Sequence, residues 1–202
     1  AEIFGENSVD SDLESIHLMV ESLSTVGIKN ITLSLGHAGL MSLILDNIKE
    51  QTSIDIEKVQ LALSKKSKSD IETLDNEAID REWKELLLDL SNSYGGKEIL
   101  LIAKKKFKHL GKEVSRSLDY IEEIINRLDF SNQIKIHLDL GEIHGFRYHN
   151  GIVFSAYTDK AGYSLAKGGR YDGLSRAKEV NRPAVGFDLD LLAIADFTDF
   201  TN

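Results

Sequence analysis

Hydrophobic positions alternate with polar ones at the two ends of the chain and run in helical stripes between them. Near the start, Ile31, Leu33 and Leu35 alternate through GIKNITLSLGH, bounded by Gly27 and Gly36, which predicts a strand. Before it, Leu13, Ile16, Val20 and Leu23 recur at helical spacing. Ser11 and Glu14 have the Ser-x-x-Glu spacing of a capping box, so SVDSDLESIHLMVESL predicts a helix. The opening AEIFGE reads as the end of a strand, and a helix is expected from about Gly39 to Lys49.

From about residue 53 to 128 the pattern is helical, with no proline. Ile79, Trp83, Leu86, Leu87 and Leu90 form one stripe, and Val114, Leu118, Ile121, Ile125 and Leu128 form another, with SYGG (Ser93 to Gly96) separating them. The last third reverts to alternation. In QIKIHLDL, Ile134, Ile136, Leu138 and Leu140 take one face and Lys135, His137 and Asp139 the other. GIVFSAY predicts a second strand, AGYSLAKGG a third across a turn around Asp159 to Gly162, and RPAVGF a fourth. DLDLLAIADF closes as a helix with Asp188 near its N-terminus. Hairpin spacing argues for an antiparallel sheet. The pattern alone therefore predicts an α+β chain: sheet pieces at both ends, helices inserted between.

Composition narrows the function classes. A chain of 202 residues with 42% apolar residues can build a full core. The formal charge of −9 argues against a nucleic-acid surface, which needs a clustered basic face. The one basic run, Lys104 to His109, reads as a solvated helix face. The absence of Cys excludes disulfides, thiolate nucleophiles and Cys-type zinc sites, and fits a reducing compartment. No apolar run approaches the ~20 residues of a membrane span.

Candidate chemistry gathers in the last third. The stretch LDLGEIHGFRYHNGIVFSAY (Leu138 to Tyr157) reads as two strands joined through a glycine, yet it carries His144, Arg147, Tyr148 and His149, which a purely structural hairpin does not need. His137, His144 and His149 lie close to Asp139 and Glu142. However, His144 and His149 are an odd number of residues apart, which places them on opposite faces of a regular strand, and no HExxH spacing is present. Neither a metal site nor a serine nucleophile elbow is expected. In AKGGRYDGL, Gly168 and Gly169 permit close backbone approach, with Tyr171 and Asp172 supplying a hydroxyl and a carboxylate beside them.

AEIFGENSVDSDLESIHL, GFRYHNGIVF, GGRYDGL and RPAVGFDLDLL, in this order and spacing, resemble the histidyl-tRNA synthetase family. HGFRYHNG is similar to that family's first histidine signature, close to R-G-L-D-Y-Y-T-G, and GGRYDGL to its second. PAVGFDLDLLA is similar to class II motif 3. The resemblance implies a class II aminoacyl-tRNA synthetase-like antiparallel sheet with flanking helices and a helical insertion, with the N-terminal part of the core lying outside this chain. Residues 1–50 and 131–202 would belong to the core, the latter with both signatures and a degenerate motif 3, and 51–130 to the insertion. By the same resemblance, Glu2, Tyr148, His149, Gly151, Arg170 and Tyr171 would line a histidine pocket.

The departures change the expected activity. His144 stands where the family has an arginine that helps activate histidine with ATP, Ala193 where a second arginine contacts the nucleotide, and Leu192 where an acidic residue precedes it. After Arg182 the sequence has no Lys or Arg but has Asp188, Asp190, Asp196 and Asp199. Like charges at 4 Å repel by roughly 4 kcal/mol at an effective dielectric near 20, so a polyphosphate fits poorly there. Signatures kept and arginines lost resemble the branch of the family formed by regulatory subunits of ATP phosphoribosyltransferase. This implies a non-catalytic cytoplasmic protein without a cofactor, and a partner in the short-form ATP phosphoribosyltransferase catalytic subunit. It implies further a homodimer within a hetero-octamer, and histidine as the feedback ligand. The alternative is a fragment of a catalytic histidyl-tRNA synthetase.

Overall fold

The strands from the two ends of the chain meet in one sheet. The computed structural model describes residues 1–130, 134–142, 149–172 and 182–197. Seven strands among them are β1 (Glu2–Phe4), β2 (Ile31–His37), β3 (Tyr94–Gly95), β4 (Ile134–Asp139), β5 (Ile152–Thr158), β6 (Ala166–Arg170) and β7 (Ala184–Leu189). Their order across the sheet is β1-β7-β6-β5-β2-β4-β3. The described helices are α1 (Val9–Thr25), α2 (Ala38–Gln51), α3 (Ile56–Ser64), α4 (Lys68–Glu72), α5 (Arg81–Ser91), α6 (Glu98–Phe107), α7 (Lys112–Arg127) and α8 (Leu191–Ala195). None of the described helices is long and apolar enough to cross a membrane.

The sheet is mixed rather than purely antiparallel, because β2 pairs with β4 in parallel. The reason is topological. The chain leaves β2, travels through α2 to α7, and must re-enter the sheet from the same end, as a long crossover requires. β4 and β5 accordingly do not form a hairpin: both pair with β2, one on each side. Residues 143–148, between β4 and β5, lie outside the described residues.

Pairing registers separate two faces. Leu138, Leu35, Phe154, Gly168 and Phe187 stand in one cross-strand row on the apolar face. α1 covers that face over β5, β6 and β7, burying Ile16, Met19, Val20 and Leu23. The helical segment joins the same core: both stripes seen in the sequence are buried, through Leu87 and Leu90 in one and Leu118 and Ile121 in the other. At roughly 1.5–3 kcal/mol per fully buried aliphatic side chain, this face is the main source of stability.

Several local expectations are corrected. α1 begins a turn earlier than the Ser11–Glu14 pair predicts: Ser8 is the N-cap and accepts the Ser11 N–H. The Ser11 hydroxyl instead donates to the Ser8 carbonyl at 2.8 Å. SYGG is more than a separator, because Tyr94 and Gly95 form the edge strand β3 on β4. Asp188 is still in β7, and Asp190 caps α8 by accepting the Ala193 N–H at 2.9 Å. The basic run Lys104 to His109 is largely exposed, as a solvated helix face, with two of its lysines paired: Lys104 with Asp119 and Glu122 at 2.6 Å each, and Lys106 with Asp89.

Candidate functional site

The face opposite the apolar one is polar and carries the site. Alternation puts Glu2, Gly186, Gly169, Val153 and Gly36 in one cross-strand row there. Three of the five are glycines, so the row is a floor of bare backbone. The next row on this face is Asp188, Lys167, Ser155, Ser34 and His137. The sequence pattern contained this arrangement: serine and glycine occupy the polar positions of ITLSLGH, and serine and tyrosine those of IVFSAYT.

Side chains close over the glycine floor from three sides. Tyr171, just past β6, donates its hydroxyl to Glu2 at 2.5 Å, joining the two ends of the chain over the sheet. His149 lies over Gly169, where a Cβ would come within 2.6 Å of the imidazole Cδ2. Its ring meets Tyr171 edge-on at 6.3 Å between centroids. At the far end, a Cβ on Gly36 would sit 3.2 Å from that of Glu142. A cavity of about 440 Å³ opens beside His149, lined by Glu142, Tyr157, Lys167, Tyr163, Ser34 and Ser155 among others. Burial pushes the Tyr157 phenol up, and the Glu142 carboxylate adds to the rise. Hydroxyls, one carboxylate, one ammonium and an imidazole around a small cavity suit a polar ligand of amino-acid size.

Of the six residues assigned to a histidine pocket, Glu2, His149 and Tyr171 come together on this polar face. Arg170 and Gly151 do not face it. Arg170 points through the opposite face into α1, donating Nε and Nη2 to Asp12 Oδ1 at 2.9 and 2.6 Å and Nη2 to Ser11 Oγ at 2.8 Å. Tyr120 of α7 donates to the same carboxylate. Burial pushes the Asp12 carboxyl up, against the pull of Arg170 and Tyr120. Gly151 is packed on the Arg170 stem, where a Cβ would clash at 2.9 Å, and its carbonyl accepts the Ala38 N–H. Tyr148, like His144 and Arg147, lies outside the described residues.

His137 is on the polar face near Tyr94, the rings 6.4 Å apart. Asp139 pairs with Lys66, which reaches over from the turn between α3 and α4 and also lies on the Tyr94 ring, 4.7 Å from its centroid. Among the described residues, no group of His, Asp and Glu could hold a metal ion.

Beyond the glycine row, toward α8, the surface carries Asp188, Asp190 and Asp196 and the exposed Leu191 and Leu192. Ala193 is buried. Arg182, the last cation of the chain, lies over the Phe4 ring instead.

A sequence-family model described as "Histidyl-tRNA synthetase" matches residues 1–194. An ATP phosphoribosyltransferase regulatory subunit of Nitrosococcus oceani is 33% identical over 195 residues, covering 95% of this chain and 48% of the relative. The crystal structure of an ATP phosphoribosyltransferase regulatory subunit/histidyl-tRNA synthetase from Bacillus halodurans superposes with a TM-score of 0.82 at 21% identity, covering 98% of this chain and 52% of that one. An ATP phosphoribosyl transferase (HisG:HisZ) complex from Thermotoga maritima matches with a TM-score of 0.63 at 21% identity, covering 93% and 63%. The two structural likenesses show the fold. The chain spans about half the length of the curated relatives it matches.

Proposed function

Because the chain belongs to the histidyl-tRNA synthetase family, we propose that it is part of a regulatory subunit of ATP phosphoribosyltransferase rather than of a working synthetase. In this role it binds histidine and does no chemistry itself. The observation that carries the reading is the contrast between the two ends of the polar face. The end built from Glu2, Tyr171, His149 and the glycine floor has the groups to hold an imidazole-bearing amino acid. Among the described residues, the end at α8 presents Asp188 and Asp190 and no arginine to hold a triphosphate. The names of relatives about a third identical over nearly the whole chain support the same branch of the family.

The partner is the short-form catalytic subunit, in a hetero-octamer that contains the regulatory chain as a homodimer, in the cytoplasm. Histidine binds among Glu2, Tyr148, His149, Gly151, Arg170 and Tyr171. Of these, Glu2, His149 and Tyr171 make direct contact, while Arg170 and Gly151 hold the strand that carries Tyr171. Feedback follows from linkage: histidine inhibits by binding the inhibited assembly more tightly than the active one, and a tenfold preference is worth about 1.4 kcal/mol per site.

The test is to add the full-length protein to the short catalytic subunit and measure phosphoribosyl transfer with and without histidine. Activation that histidine reverses is expected. Histidine-dependent exchange of pyrophosphate into ATP by the protein alone would overturn the reading in favour of a synthetase.

A further inference from the structure

Tyr120 ties α7 to the polar network behind Glu2 and Tyr171, on the other side of the sheet, and it does so by two routes. Its hydroxyl donates to Asp12 Oδ2, while Oδ1 of the same carboxylate accepts from Nε and Nη2 of Arg170 at 2.9 and 2.6 Å. Its ring stands edge-on to His37, the cap of α2. The next residue, Ala38, donates its N–H to the Gly151 carbonyl at 2.8 Å, and Gly151 packs on the Arg170 stem. Both routes end on one arginine.

From Arg170 the bonds run to both residues of the pocket pair. Nη1 donates to the Glu6 carbonyl at 3.1 Å and Nη2 to the Ser8 carbonyl at 3.4 Å, which fixes the connection from β1, the strand of Glu2, to α1. Nη1 also donates to Asp172 at 3.2 Å, and the same carboxylate oxygen accepts the Ala184 N–H of β7 at 3.0 Å. Tyr171 lies between Arg170 and Asp172 in the chain, and its own N–H donates to the Ala184 carbonyl at 2.9 Å. The phenol that holds Glu2 therefore projects from backbone clamped on both sides by the guanidinium. Asp12 and Arg170 are almost wholly buried. There each bond is stronger than in water, and solvent does not replace a lost partner.

We propose that Tyr120 is a positioning residue for the amino-acid site, and that it couples the pocket to the helical segment. A ligand held by Glu2 and Tyr171 steadies α7, and a displacement of α7 loosens the ligand. The inference rests on the amino-acid-binding reading above and adds the route by which occupancy is passed on. Linkage makes the effect reciprocal: whatever α7 contributes to ligand affinity, the ligand returns to α7.

Hydrogen exchange of the full-length protein, read by mass spectrometry with and without saturating histidine, tests this in wild type and in Tyr120→Phe, which keeps the ring beside His37. Peptides from α5 report the slowing that comes from overall stabilisation by a bound ligand. In wild type, α7 should slow about fivefold more than α5. In Tyr120→Phe that excess should vanish while β6 stays protected, and calorimetric titration should show histidine bound about fivefold more weakly. Ile121→Val, a packing loss at the next position of the same helix, should leave both readouts as in wild type. An α7 that slows no more than α5 in wild type, or an excess that survives Tyr120→Phe, overturns the coupling and leaves the pocket standing. A wild type that binds no histidine overturns the pocket reading, and the coupling with it.

Discussion

His37 ends β2 and caps α2, and it ties stability to pH in a direction that can be worked out in advance. Its Nδ1 accepts the Leu40 N–H at 3.0 Å, so the ring must be neutral with its proton on Nε2. Tyr120 stands edge-on to it at 5.9 Å. Burial lowers its pKa from 6.5 to about 4. A folded-state pKa below the unfolded value means that the contribution is fully present above pH 6.5 and is lost as pH falls through 6.5 toward 4. The full gap corresponds to about 3.4 kcal/mol. About 1.8 kcal/mol of it should disappear between pH 7 and pH 5. The perturbation is His37→Asn, which keeps a good N-cap acceptor but removes the titration. Urea unfolding of both proteins across this range gives each free energy by linear extrapolation. The variant differs from wild type in packing as well, so the readout is the change in the difference with pH, not the difference at one pH. The wild-type advantage should shrink by about 1.8 kcal/mol on going from pH 7 to pH 5. Parallel pH profiles for the two proteins would refute the buried, neutral cap.

Three further outcomes follow from contacts described above. Asp12→Ala takes from the buried Arg170 guanidinium its nearer carboxylate, leaving Asp172 at 3.2 Å, and should destabilise the protein by about 3 kcal/mol in chemical denaturation. Gly168→Ala drives a methyl into the Gly186 carbonyl and the Phe154 ring and should cost about 1–3 kcal/mol, whereas Gly162→Ala meets open space and should stay within about 0.5 kcal/mol; differential scanning calorimetry compares them directly. Tyr171→Phe removes the hydroxyl that holds Glu2, a bond to a charged group worth about 1.5–3 kcal/mol, and should weaken histidine by tenfold or more in titration.

Much of this was legible from periodicity. Alternation located β2 and β4 because one set of side chains packs inward and the other does not, and the helical stripes located α5 and α7 for the same reason. What periodicity does not encode is who pairs with whom. β4 and β5 are neighbours in sequence but straddle β2, a placement set by the long helical excursion rather than by any turn residue between them. The two-residue β3 is too short to show a period, and Tyr94 reads as part of a turn. At the site, the resemblance carried Glu2 and Tyr171, which lie 169 residues apart in the chain and meet only through the sheet register. Arg170 shows the limit of reading neighbours together. Adjacent strand residues point to opposite faces, so the arginine beside Tyr171 serves the core while the tyrosine serves the pocket. Glu142 and Lys167 line one cavity but carried no sequence signal as a pair, because only the strand order sets Gly36 of β2, beneath Glu142, and β6 on either side of β5.

The crossover between β2 and β4 also governs how the molecule can assemble. Ile31 meets Ile134 across about a hundred residues, so the middle of the sheet cannot zip until distant parts of the polypeptide find each other, and folding speed falls with such separation. Equilibrium is far more forgiving. Loop-closure entropy rises only logarithmically, and doubling the intervening length adds roughly 0.6 kcal/mol. The stretch between those two strands is therefore the place where this architecture accepts added or exchanged material with least thermodynamic penalty, and slow maturation is the toll that such variation exacts.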